Sequence, residues 1–265
     1  MTKLEKYYGK FKEDHRLTTR HGIVEFSVSM HYINESLKEM ARRTQREPSC
    51  IKILDVGAGT GRYSIALSHE GYDVTAVELV QHNLDILLSK HEKVKCWPGD
   101  ARNMPFLPDG AFDVTILFGP LYHLHTVEDK LAALTEAKRV TKKGGLIFAG
   151  YVMNEYAVLT YCFKERNILS CLDSRTLAPD FHTITNDERD LYSYVRLEDI
   201  NELDEKAALV RTKIFAPDGA ADYMRRELNA LTEEEFQKFI EYQLSVCERP
   251  ELLGASSHVV DVLCV

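Results

Sequence analysis

The apolar run Ile51-Lys-Ile-Leu-Asp-Val56 leads directly into glycines at alternate positions, Gly57, Gly59 and Gly61, and then into a helical pattern beginning at Arg62. Glycine at this spacing lets the backbone turn sharply out of a strand and come close to a ligand. The residues that follow keep the rhythm. Strand patterns are predicted over 73–79, 94–97, 112–118 and 146–150, and helices over 62–70, 83–90 and 126–140. Gly71 stands where a helix C-terminal cap belongs. Thr126 with Asp129 makes a capping-box-like start, Lys138, Arg139, Lys142 and Lys143 favour the negative end, and Gly144-Gly145 is expected to stop the helix. Strands separated by helices of this length imply a parallel sheet with right-handed crossovers.

Glu78 closes the second strand pattern, 21 positions after Gly57. In a parallel sheet the adjacent strand places this carboxylate beside the glycine loop. There it can accept hydrogen bonds from the 2′- and 3′-hydroxyls of a ribose, so an adenosine-containing cofactor is expected. A solvated acid at a strand end is the plainer alternative. A dinucleotide loop would carry its third glycine where Arg62 stands, so the loop is a poor dinucleotide match.

Asp55-x-Gly57-x-Gly59-x-Gly61 resembles instead the first motif of class I S-adenosylmethionine-dependent methyltransferases. Three further segments are similar to that family in the same order. They are Gly99-Asp100-Ala101 after the third strand, Phe112 to Leu124 around the fourth, and Arg139-Val-Thr-Lys-Lys-Gly-Gly-Leu-Ile147. The last has Thr141 and Lys143 where the family carries Leu and Pro. The resemblance ends near residue 152. It implies a three-layer Rossmann-like α/β sandwich whose seven-stranded, mostly parallel sheet has the order 3-2-1-4-5-7-6, the last strand antiparallel. Residues 1–50 would form an N-terminal helical cap and 51–152 the cofactor-binding core. Residues 153–265 would add substrate-side helical insertions and the last two strands. Carried over residue by residue, the cofactor set is Asp55, Gly57, Ala58, Gly59, Gly61, Glu78, Leu79, Asp100, Ala101 and Phe118, with the Asp100 carboxylate at the adenine.

The implied reaction is in-line methyl transfer to a small-molecule acceptor, in which alignment and water exclusion matter more than covalent chemistry. Tyr122 and His123 follow the fourth strand, at the carboxyl edge where such sheets bind ligands, so they are the catalytic candidates. His123 would orient or deprotonate the acceptor, or merely hold its own loop. His-x-His at 123 and 125, completed by His21 or His258, is a weak metal pattern without cysteine or carboxylate at metal spacing, and no metal is expected.

Lid candidates near the N-terminus are Tyr7, Tyr8, Arg16, Arg20, His21 and Glu25. Arg16 or Arg20 suits the methionine carboxylate of the cofactor. Aromatics including Phe11, Phe26 and Tyr32 also mark the first fifty residues. Tyr151, Tyr156, Tyr161, Phe163, Phe181, Tyr192 and Tyr194, and the 254–258 turn, are substrate-side candidates.

Composition narrows the alternatives. Lys and Arg total 33 against 41 Asp and Glu, a net charge of −8, so avid binding to phosphate backbones is not expected. An RNA or protein methyltransferase is a competing reading. Against a base-amino methyltransferase, Phe118-Gly-Pro-Leu121 stands where such enzymes carry Asn/Asp-Pro-Pro-Tyr/Phe. A nicotinamide-dependent oxidoreductase and a noncatalytic cofactor-binding regulator are the others. The six cysteines are scattered without a CxxC pair and read as reduced core residues. No apolar run reaches the roughly 18 residues of a membrane span, and the polar N-terminus lacks a signal-peptide core. A cytoplasmic location is expected.

Overall fold

The computed structural model describes residues 3–8, 16–186 and 189–265; Phe11 lies outside them. Seven strands, β1 (Lys52–Val56), β2 (Asp73–Glu78), β3 (Lys95–Pro98), β4 (Phe112–Leu117), β5 (Thr141–Val152), β6 (Val210–Phe215) and β7 (His258–Cys264), form one sheet. Its order is β3-β2-β1-β4-β5-β7-β6, as expected. β1 pairs in parallel with β2 and β4, β3 with β2 and β5 with β4, while β7 runs antiparallel to β5 and β6.

The layers follow from the strand period. On β1, Leu54 and Val56 join one core cluster, which takes in Leu134 and Ala137 of the helix Val127–Val140. Ile53 joins the other, with Val28, Ile33 and Leu37 of the helix Arg20–Thr44. Alternate side chains of one strand thus feed opposite helical layers. In chain order the helices are α1 (Lys3–Tyr8), α2 (Arg20–Thr44), α3 (Arg62–His69), α4 (Gln81–Ser89), α5 (Val127–Val140), α6 (Asn154–Ala157), α7 (Ile168–Asp173), α8 (Leu197–Ala207), α9 (Arg225–Ala230), α10 (Glu233–Val246) and α11 (Pro250–Leu253). Thr19 caps α2, accepting from the Gly22 N–H, and Thr232 with Glu235 forms a full capping box on α10. Among the described residues no helix is long and apolar enough to cross a membrane.

Three expectations need correction. Gly144-Gly145 does not stop α5. The helix ends at Val140 and β5 begins at the next residue, where the Thr141 hydroxyl reaches the Ala137 carbonyl at 2.7 Å and the Thr115 hydroxyl at 2.6 Å. The glycines lie inside the long strand, where a Cβ on Gly145 would stand 2.8 Å from the Asp113 carbonyl oxygen. The first of the helical insertions expected beyond residue 152 is not one helix but α6, a π-helical stretch Val158–Lys164, and α7, parted near Arg166 with φ of 63°. The cysteines are not all core residues, since Cys50 is exposed.

Candidate active site

At the carboxyl ends of β1, β2 and β4 lies a cavity of about 750 Å³. The glycine loop forms its floor. Gly57 and Ala58 donate to the Val77 carbonyl at 2.8 and 3.2 Å, stitching the loop onto β2. Gly57 has φ of 75°, and a Cβ there would lie 2.6 Å from Pro120 Cδ, so its bareness admits the segment after β4. Gly61, at φ of 88°, gives way to Leu87, whose Cδ1 would meet its Cβ at 2.3 Å. Gly61 therefore serves helix packing and is not on the cavity wall, whereas Asp55, Gly57, Ala58, Gly59, Glu78, Leu79, Asp100, Ala101, Phe118, Tyr122 and His123 all line it.

Glu78 sits beside the loop. One carboxylate oxygen accepts from the Gly59 N–H at 2.7 Å, the other from the Val80 N–H at 2.8 Å. A carboxylate oxygen can accept more than one hydrogen bond, so fixing the loop and receiving ribose hydroxyls are compatible tasks. Asp55 is buried and accepts the Ser64 hydroxyl at 2.5 Å; burial pushes its carboxyl up to about 6. Asp100 lines the cavity, yet its carboxylate is gripped by the Arg102 guanidinium at 2.7 Å, which holds it below its ordinary range. Arg102 also reaches Asp129 at 2.9 Å.

His123 is 3.0 Å from the Leu191 carbonyl through Nδ1 and 3.0 Å from the Tyr8 hydroxyl through Nε2. Its ring stacks on Tyr192 with centroids 5.2 Å apart. Desolvation by burial lowers its pKa to about 4. The contact brings α1 onto the cavity, whose wall includes Lys3, Leu4, Tyr8, Arg16 and Thr18. Arg16 donates to both oxygens of Glu25. Arg20 turns away from the cavity, stacks over Phe236 at 4.7 Å and donates to the Leu228 and Leu231 carbonyls. His21 faces Asp222 at 3.8 Å, and Tyr7 takes a 3.5 Å hydrogen bond from Tyr192.

None of the expected substrate-side aromatics lines this cavity. Tyr151 is buried in β5, Tyr192 backs His123, and Tyr161, Phe163 and Phe181 are exposed. Tyr194 lines a second cavity of about 490 Å³ that shares His125 with the first. His125 bonds Thr185 through Nδ1, so the two histidines of the His-x-His pattern have separate partners. Among the described residues Glu25, Asp218 and His258 each bring one possible ligand atom within 4.8 Å of the others, but His258 Nδ1 is engaged with Asp218 at 2.6 Å, and only His258 belongs to that pattern.

The sequence reading missed Asn83 and Tyr63. Asn83 lines the cavity, is 2% exposed, and its side-chain oxygen has no hydrogen-bond partner among the described residues. A polar residue at the start of a helix after the acidic strand end was the only sequence signal. Tyr63 stands edge-on to Phe118 with centroids 5.1 Å apart; read from the sequence it is an ordinary helix residue.

A seven-stranded sheet of this order, with a glycine loop and an acid at the end of β2 facing one cavity, defines the class I S-adenosylmethionine-dependent methyltransferase fold. Residues 54–149 match the methyltransferase domain family. The demethylmenaquinone methyltransferase of Staphylococcus aureus (strain MRSA252) is 41% identical over 104 residues, 37% of this chain and 41% of that protein. The chain thus spans less than half the length of the curated relatives it matches. An S-adenosylmethionine-dependent methyltransferase structure from Thermotoga maritima is similar in fold, with a TM-score of 0.57, 18% identity and coverage of 98% of this chain and 97% of that one. Another, from Archaeoglobus fulgidus, has a TM-score of 0.51, 15% identity and coverage of 88% and 94%.

Proposed function

We propose that this protein transfers the methyl group of S-adenosylmethionine to a small-molecule acceptor. The observation that carries this is the Glu78 carboxylate bonded to the Gly59 N–H on the wall of a cavity large enough for two small ligands. The residues fit the cofactor's chemistry. Glu78 suits a ribose diol, and the orphaned Asn83 oxygen calls for an N–H donor such as an adenine amine. Arg16 suits a carboxylate. When bound, the cofactor supplies an electrophilic sulfonium methyl group.

The chain's own residues position and enclose. Tyr8, Tyr122, His123 and Leu124 bound the acceptor side, and α1 closes it from water. A base whose pKa is about 4 deprotonates few acceptors at neutral pH. His123 therefore orients Tyr8 and the acceptor rather than taking the proton. The net charge of −8 favours a small acceptor over a nucleic acid, and a cytoplasmic site of action accords with the scattered cysteines.

Calorimetric titration with S-adenosylmethionine, S-adenosylhomocysteine and NAD, with Glu78→Ala as control, tests the cofactor. Binding of the S-adenosyl compounds, weakened at least about 30-fold in the variant, is expected from the loss of a charged acceptor. Binding of NAD alone would overturn the reading. A small-molecule acceptor screen follows, and full turnover by His123→Ala would remove the histidine from the reaction.

A further inference from the structure

Behind the cavity wall runs a half-buried series of alternating charges that ends on it. Arg16, a wall residue, donates through Nη1 to both oxygens of Glu25, at 3.1 and 2.8 Å. Ligand atoms of Glu25, Asp218 and His258 lie within 4.8 Å of one another. His258 Nδ1 is 2.6 Å from one oxygen of Asp218, and its backbone N–H donates to the other at 3.0 Å. The Ser256 hydroxyl donates to Asp218 at 2.6 Å and accepts from the Gly219 N–H. Asp218 is 1% exposed and fixed on three sides, so it is the rigid end of the series. Arg16 is the working end. Electrostatically it acts on His123, Tyr192 and Tyr63, which places it on the His123 side of the cavity.

We propose that the Glu25–His258–Asp218 chain is the device that holds Arg16 ready for the carboxylate end of the cofactor. The proposal rests on the cofactor assignment above and adds three positioning residues to it. An arginine side chain has much rotamer freedom to lose, and fixing it beforehand reduces what binding must spend. Glu25 does the fixing, but its carboxylate faces that of Asp218 nearby, and the two repel. A positively charged His258 between them removes that repulsion. Burial alone would strip its proton, but Asp218 and Glu25 outweigh burial and Arg16, and raise the pKa to about 9. The other groups facing it are Asp222, paired with Arg225 at 2.7 Å and near His21, and the Tyr122 ring at 6.0 Å.

Two ligands separate this role from simple structural support. S-adenosylhomocysteine carries the amino-acid carboxylate; adenosine has none. At neutral pH, His258→Gln is expected to weaken S-adenosylhomocysteine by about tenfold, the size of one charge-assisted contact. Adenosine affinity stays unchanged. Above about pH 9 wild type loses the same charge, so the ratio of the two affinities for S-adenosylhomocysteine returns toward one. Glu25→Gln gives a sign test. Loss of a holder weakens binding of the carboxylate ligand, whereas mere removal of a negative charge strengthens it. Tighter binding by Glu25→Gln, equal losses for both ligands, or a ratio unmoved by pH would each overturn the proposal. If wild type bound neither ligand, the cofactor assignment itself would fail.

Discussion

Tyr8 Oη stands 3.0 Å from His123 Nε2, joining residues 115 positions apart on one cavity wall. Because His123 Nδ1 faces the Leu191 carbonyl, which can only accept, the ring proton sits on Nδ1 and Nε2 accepts from Tyr8. Removing the hydroxyl with Tyr8→Phe forfeits a hydrogen bond of about 1 kcal/mol. S-adenosylhomocysteine affinity is expected to fall about fivefold through the loosened α1, with little change in melting temperature. Titration calorimetry alongside thermal melts checks both halves.

The same histidine makes stability depend on pH. Its folded-state pKa of about 4 lies below the ordinary 6.5, so the unfolded chain takes up a proton that the folded chain refuses. The contribution is full above 6.5 and is lost as pH falls toward 4. Thermal melts across that window should show a steeper decline for wild type than for His123→Asn. Identical slopes would mean that His123 does not titrate differently in the two states.

Asn83 offers a case in which affinity and stability part. Its buried oxygen has no partner among the described residues. Asn83→Leu removes a group whose burial costs roughly 1–3 kcal/mol, so folding stability holds or rises, while affinity for adenosine falls about tenfold. Denaturant unfolding and adenosine titration provide the two readings. A loss of stability together with retained affinity would show that Asn83 serves the fold.

The two outer glycines of the loop should fail differently. Gly57→Ala drives a methyl into the Pro120 ring, at 2.6 Å from Cδ, and disturbs the segment carrying Tyr122 and His123. Gly61→Ala drives one into Leu87, beneath the wall. Each is expected to cost about 1–3 kcal/mol in denaturant unfolding. Only Gly57→Ala should also lower turnover measured at saturating cofactor.

Far from the cavity, Arg211 bridges Asp204 and Asp261, each at 2.7 Å. Burial and the neighbouring Asp261 push the Asp204 carboxyl up to about 8, and one of its oxygens has no partner among the described residues. With the folded pKa raised, stability is full below the ordinary value of 3.8 and drains away as pH rises toward 8. Asp204→Asn removes this dependence. It should melt higher than wild type at about pH 9 and lose the advantage at about pH 5.

The alternating strands and helices of the core were legible because local chemistry dictates them, whereas the order of the seven strands came only from the family resemblance. Glycines between a strand and a helix, and an acid ending the next strand, serve one geometry. The same reasoning missed the direct passage from α5 into β5, since Thr141 exchanges one set of hydrogen bonds for another without a loop. It also offered Arg16 and Arg20 equally. Only tertiary packing separates them, Arg16 toward the cavity and Arg20 onto Phe236. The substrate-side aromatics were misplaced for a related reason: an aromatic-rich segment announces burial somewhere, not the surface it faces.

Arg20 ties the start of α2 to the Leu228 and Leu231 carbonyls, 208 and 211 positions further along. On the ribosome, α2 is therefore made long before the segment that covers it. Until α9 and α10 emerge, the apolar stripe of Val24, Val28 and Ile33 has no complete resting place. Closure of this layer waits for residues about 200 positions further along, so the nascent protein depends on late contacts of high sequence separation to finish the environment of α2.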